Sequence, residues 1–347
     1  MEKIFILFIL ISVFVSQAGF AAEIDSVTPR NIELDNSQSI INRIINQRIQ
    51  EGVQKANAQQ DDAGGFDFIS AIDDEEFTEE YEACDEEILY TELRKAIFQS
   101  LTASWGLKGY DLDKQLRNLL AKQSYSLSLN DSIYRDIDYI EGFSLNLKEL
   151  SDVVNINDHL IGLDKLGHFF AEGWQYYELT RYDDYTFNQA LEWGRQQEAG
   201  KFGYSTTGIF SFADLVANFN GWRFWNKVLL KENDPLKGAL ANFFDSPYVS
   251  CDIQIIASIK SRKIVKAWEQ NTEFDLSDFI DGTWDEGNNC NSYDDPFIEE
   301  KVTARIKNVS PDFTCPFVPE NCLEAQERYG FYAKHVLHPY CLIATKE

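Results

Sequence analysis

The chain has 347 residues, 44 % of them hydrophobic and 25 % charged, and after the first 21 nothing approaches the 18 consecutive apolar residues a membrane helix needs. Its formal net charge of −26 argues against nucleic-acid backbones and anionic lipid as partners and leaves cations as the favoured ones.

Residues 1–3 form a short polar n-region, 4–15 are an apolar run too short to span a bilayer, and 19–21 place small residues at −3 and −1 of a cleavage site. Residues 1–21 therefore read as a secretory signal, with a mature chain that begins at Ala22 and has no stable membrane insertion. The first cysteine is Cys84, so lipidation has no acceptor near the cleavage point. Cys84, Cys251, Cys290, Cys315, Cys322 and Cys341 form an even set that an oxidising compartment pairs, and no CxxC spacing points to zinc instead. Six cysteines allow fifteen pairings, of which Cys315 with Cys322 looks like a short closed loop. The chain thus reads as exported, periplasmic or secreted.

Between 37 and 59, Ile40, Ile41, Ile44, Ile45, Ile49 and Val53 recur at helical spacing and predict an amphipathic helix that must dock. The stretch "DDAGGFDFISAIDDEEFTEEYEACDEE" follows as an acidic linker. Helical patterns resume over 84–101 (Ile88, Leu89, Leu93, Ile97) and 111–123 (Leu112, Leu116, Leu119, Leu120), then dominate 164–230. Pro235 and Gly238 mark a break, beyond which shorter helices alternate with loops such as "DGTWDEGNNCNSYDDP". Strands are few and weakly patterned. The expected fold is mainly α, a single multi-helix domain with a disulfide-bonded, loop-rich C-terminal part. Its expected segments are the signal 1–21, an N-terminal helix and acidic linker 22–82, a helical core 83–235 and a cysteine-rich part 236–347.

Three helices within the core carry the polar residues of interest. In "DKLGHFFAEGWQYY" (164–177), Asp164, His168, Glu172 and Gln175 fall on one side and Leu166, Phe170, Trp174 and Tyr177 on the other, the pattern of an ordinary amphipathic helix with a solvated polar row. Gly162, Gly167 and Gly173 are odd under that reading, because an interior glycine costs about 1 kcal/mol relative to alanine, so something packs close. The next helix opens with capping-box spacing at Thr186 and Gln189. Its stripe of Phe187, Ala190, Leu191 and Gly194 continues to Glu198 and points that carboxylate inward. In "SFADLVANFNGWRFWNKVLL" nearly every residue of 212–225 is apolar except Asp214, Asn218, Asn220 and Arg223. A polar stripe of Asp214 and Asn218 on a buried helix needs polar partners, and Asp164, His168 and Glu198 are available, although Ser211 to Asp214 is also a local capping box.

The arrangement Asp164-Lys165-x-x-His168, a glutamate one helix later at Glu198, then Ser211-x-x-Asp214-x-x-x-Asn218-x-x-Gly221 resembles the VanZ-like proteins and related small periplasmic helical proteins of unknown activity. The likeness covers about 60 residues of the 347, within residues 160–225. VanZ-like proteins are usually membrane-embedded, whereas this chain has one removable apolar segment and long additions at both ends. The family's link to glycopeptide-antibiotic tolerance implies a cell-envelope setting and transfers no reaction.

Other constellations are weaker. His335 and His338 stand three apart, but Pro339 ends any helix there, which favours a capping role near a helix C-terminus. His159 lies in an expected loop before the first site helix, and no Gly-x-Ser-x-Gly nucleophile motif occurs. The reading that uses most of these residues gathers Asp164, His168, Glu198, Asp214 and Asn218 at a crossing of three helices. Glu198 or His168 is then a general base, with His168, Glu198 and Asp214 as candidate ligands of a divalent metal. The reaction implied is metal-assisted or acid/base hydrolysis of an envelope component. The competing expectation is a non-enzymatic binding or structural protein in which the same residues form a buried polar network.

Overall fold

Ile41, Ile44, Ile45 and Ile49 form one wholly buried face of helix α1 (Gln38–Asp62), as their spacing predicts. That face lies against α2 (Glu86–Ile97), which begins where the Asp85 carboxylate accepts a hydrogen bond from the Ile88 amide. Helix α3 (Asp111–Leu120) buries Leu112, Leu116 and Leu120 in the same core. The coordinates are a computed structural model and describe residues 23–62, 84–98, 100–101, 108–109, 111–147, 150–257 and 262–344. The expected signal 1–21 and most of the acidic linker, 63–83, lie outside the described residues.

Strands β1 (Val153–Ile156) and β2 (His159–Gly162) form an antiparallel hairpin whose two loop residues, Asn157 and Asp158, have φ of 53° and 66°. Positive φ at both loop positions is the turn that matches strand twist, and Asn-Asp tolerates it. His159 is therefore a strand residue rather than part of a loop. The hairpin delivers the chain into α4, which is α-helical over Asp164–Gly167, π-helical over His168–Glu172 and α-helical again over Gly173–Tyr182. Helix α5 (Phe187–Gln197) starts on the Thr186 and Gln189 capping box and runs into a second π turn, Glu198–Phe202. Strand β3 (Ile209–Ser211) then leads into α6 (Phe212–Leu229), which is buried on nearly every side. Ser211 caps α6 by accepting from the Asp214 amide.

The expectation of short helices and loops after residue 236 needs correction. Strands β4 (Val249–Ala257) and β5 (Arg262–Gln270) form a nine-pair antiparallel hairpin. The Asn57 side chain of α1 clamps it by bonding both the amide and the carbonyl of Trp268, each at 2.9 Å. A short strand β6 (Asn291–Tyr293) pairs with β3, and helices α7 (Pro296–Val309) and α8 (Pro319–Tyr329) follow. The disulfides pair all six cysteines, as Cys84–Cys251, Cys290–Cys315 and Cys322–Cys341. The Cys315–Cys322 loop does not form, because each of these cysteines lies nearer a different distant partner. The expected role of His338 also changes: its Nδ1 accepts from the Tyr340 amide, so it caps the start of the turn Pro339–Leu342, which Pro339 opens rather than ends.

The architecture is mainly α. One buried cluster runs from Ile41 of α1 through Phe169, Phe224 and Trp225 to Cys341 near the C-terminus, so the N-terminal helix, the helical core and the cysteine-rich part contribute to the same interior. Among the described residues no helix is long and apolar enough to cross a membrane.

Candidate functional site

The site forms where α4 crosses α6. At the crossing, a Cβ on Gly173 would lie 2.5 Å from the Gly221 Cα, and one on Gly221 would overlap the Phe169 carbonyl oxygen, so both must be glycine. This is the close packing expected from Gly173. Gly162 is also crowded, by Ile24 and the Asp164 carboxylate, whereas Gly167 has open space beside it. Carbonyls of the π turn face α6: Phe169 O lies against Gly221, and Phe170 O, also bonded by the Gly173 amide, accepts from the Trp225 indole at 2.9 Å.

The expected solvated polar row on α4 does not exist. Asp164 and His168 are both buried, and only Glu172 and Gln175 are half-buried. The reason is tertiary: Asp164 and His168, one regular turn apart ahead of the π turn, face Lys165, Asp214 and Asn218 rather than water. Glu198 points inward as its stripe predicts and is 3 % exposed.

Lys165 is the hub. Its ammonium is completely buried and lies 2.9 Å from Asp164 Oδ2, 2.5 Å from Asp214 Oδ1 and 2.6 Å from Glu286 Oε1. Burial alone would push the lysine down, but these three carboxylates hold it well above its ordinary value. His168 Nε2 lies 3.2 Å from Asp214 Oδ2, and its Nδ1 lies 3.3 Å from Asn218 Oδ1. Asp214 would be raised by burial, yet its neighbours His168 and Lys165 and the bond from Lys165 lower it. The Ser211 hydroxyl donates to Glu286 Oε1 and the Ser211 amide donates to Glu198 Oε1, which ties Glu198 to the cluster through the α6 cap.

The remaining carboxyls behave differently. Glu198 is pushed well up by burial and by Asp214 and Glu23, against the opposing Ser211 amide. Glu23 is likewise raised by burial, Glu286 and Asp214, while burial raises Asp164 and Glu286 more than Lys165 lowers them. Five buried carboxyls, Glu23, Asp164, Glu198, Asp214 and Glu286, thus gather around the single buried ammonium of Lys165, which pairs with three of them. An interior this acidic must take up protons or a further cation.

One place in it has the geometry for a metal. Asp164, His168 and Asp214 each offer a ligand atom, all within 4.8 Å of one another. Asp164 Oδ1 is buried without a hydrogen-bond partner. Of the three expected ligands, His168 and Asp214 belong to this compact set; the third member is Asp164, and Glu198 stands apart on the Ser211 amide. Sequence reasoning assigned Lys165 no role beyond its motif and missed Glu286 and Glu23. Lys165 held the available signal, since a lysine on a buried helix demands carboxylates. Glu286 had none, because it sits in an irregular loop pinned by an Arg30–Asp285 ion pair and by Cys290–Cys315.

Comparison with known proteins finds no matching family model, no matching curated protein and no matching solved structure. Function is therefore argued from the site's chemistry.

Proposed function

We propose that this chain is an exported protein of the cell envelope, a single multi-helix domain in which Asp164, His168 and Asp214 hold a divalent metal and support hydrolysis of an envelope component. The observation that carries the reading is the convergence of three ligand atoms within 4.8 Å beside a buried carboxylate oxygen that lacks a hydrogen-bond partner. Lys165 orients Asp164 and Asp214 and offsets their charge. Glu198, raised toward neutrality by burial, is the group suited to carry a proton. The disulfides agree with export, and the VanZ-like motif supplies the envelope setting.

A second reading has its own observation. None of the site residues is more than 8 % exposed, and Lys165 already satisfies three carboxylates, as in a network that fixes helix register. The test is metal content and thermal midpoint of the purified protein with and without chelator. Alongside it runs a hydrolysis screen on envelope lipids and peptidoglycan with Glu198→Gln as control. The metal-hydrolase reading expects bound metal and a Glu198→Gln activity loss of about 10²-fold with folding intact. Loss of roughly 3 to 5 kcal/mol in Glu198→Gln, with no metal and no activity, would establish the register network instead.

A further inference from the structure

Arg48, Glu51 and Lys55 recur on α1 at steps of three and four, so they share a face, and that face turns toward α3 and the last turn of α2. A cavity of about 560 Å³ opens there, larger than a lone phosphate ion needs and within the roughly 300 to 1,000 Å³ of small-molecule sites. Arg48 joins its three walls. Its Nη1 donates to the carbonyls of Ala96 and Ile97 at 2.7 and 3.2 Å, while Nε and Nη2 donate to Gln115 Oε1 of α3 at 3.1 and 2.7 Å. None of the lining residues belongs to the buried acidic cluster, so binding here does not depend on the reaction proposed above.

The lining is cationic in an acidic protein. Arg48, Lys55, Lys95 and Lys114 surround the cavity against the single carboxylate of Glu51, whereas the whole chain has 57 acidic residues to 31 basic ones. Salt screens the more distant acids beyond about 8 Å at physiological ionic strength, so the local cations set the potential inside. Two of these cations are already engaged: Arg48 meets the carbonyls that end α2, and Lys95 pairs with Glu92 at 2.5 Å. Lys55 and Lys114 are exposed and form no ion pair among the described residues. Around them, Gln47, Gln115 and Asn118 supply amides that donate and accept, and Ile44 and Ala96 are the apolar members. Amides beside ammonium groups suit a ligand with hydroxyls next to an anion, whereas a nucleobase or an acyl chain would need the aromatic or broad apolar wall that these residues do not make. We propose that this cavity binds an anionic sugar, a saccharide bearing a phosphate or a carboxylate, whose charge is met by Lys55 and Lys114 and whose hydroxyls bond Gln47, Gln115 and Asn118.

Isothermal titration calorimetry of the full chain, in chelator to keep phosphate from any metal, compares glucose-1-phosphate, glucuronate, glucose and inorganic phosphate. Saturable binding of glucose-1-phosphate or glucuronate, tighter than that of glucose and of inorganic phosphate, is the expected result, and the tighter of the two sugars identifies the charged group. Lys55→Gln combined with Lys114→Gln should weaken it by about 10- to 100-fold with circular dichroism unchanged. Lys307→Gln combined with Lys334→Gln changes the net charge equally at exposed lysines outside the cavity and should bind like the wild type. No saturation by either anionic sugar up to about 10 mM overturns the proposal. So does glucose or inorganic phosphate that binds as tightly as the anionic sugars, an unchanged affinity in the Lys55 and Lys114 variant, or an equal loss in the two lysine pairs.

Discussion

Lys165 stands between Asp164, Asp214 and Glu286 with no access to water, so its removal would leave carboxylates that have lost their principal cation. Lys165→Met keeps the length of the side chain and deletes the charge. The expected cost is roughly 3 to 5 kcal/mol, the usual penalty for stranding one partner of a buried ion pair, read from urea denaturation at neutral pH. A loss below about 1 kcal/mol would mean that the carboxyls simply take up protons and that the ammonium is not what holds them. At this scale the sequence was informative about position and poor about partnership. Glu198, Asp214 and Asn218 are legible as inward or stripe-forming positions because helical period says where a side chain points, whereas Asp164 and His168 share a face that the same period reads as solvated. Glu286 and Glu23 were not legible, since no local rule connects an irregular loop or an N-terminal segment to a helix far along the chain.

Helix α4 meets α6 through paired glycines, and the two helices exchange bonds across the contact. Replacing glycine by alanine in an ordinary helix gains about 1 kcal/mol. At Gly221 the sign should reverse: the added methyl would overlap the Phe169 carbonyl, and the expected loss is about 1 to 3 kcal/mol or more from overpacking. Thermal or urea denaturation of Gly221→Ala checks it, and a stabilised variant would show that the crossing has room the structure does not give it. The π turns at His168–Glu172 and Glu198–Phe202 sit where His168 and Glu198 enter the site. Periodicity served well along α1, α5 and α6, and misjudged α4, where it placed Asp164 and His168 on one face correctly but could not say that Lys165, Asp214 and Asn218 rather than water would cover that face. The β4/β5 hairpin was missed for a different reason: a nine-residue strand gains most of its stability from its partner and from α1, neither of which is local.

Two predictions belong to the molecule as a whole. The Cys84–Cys251 bridge spans 167 residues and Cys322–Cys341 only 19. Closing the longer loop removes more unfolded-state entropy, so the double serine variant at 84 and 251 should lose about 4 to 5 kcal/mol and the one at 322 and 341 about 3. Guanidinium denaturation of the two variants side by side tests the order, and an inverted ranking would place the stabilisation in native packing instead. The second concerns pH. Glu23 and Glu198 are raised well above 4.5 in the folded chain, so above that pH the folded state keeps protons that the unfolded state has released. Stability in chelator should therefore fall as pH rises from about 4.5, by up to about 1.4 kcal/mol per unit for each such group, and Glu198→Gln should flatten the slope. Asp214, lowered below 3.8, adds the opposite trend only under more acidic conditions.

The sequence alone determined that the chain is mainly helical and where most of its helices run, because turn period and caps are properties of neighbouring residues. It also determined that six cysteines would pair and that Glu198, Asp214 and Asn218 would need polar company. Which cysteines pair, that Lys165 rather than solvent meets the acids, and that Asp164 completes the compact set with His168 and Asp214 were decided only by the tertiary structure. Apart from the neighbours Asp164, Lys165 and His168, these contacts join residues tens to hundreds of positions apart, and their energies depend on burial and distance, which no local pattern encodes.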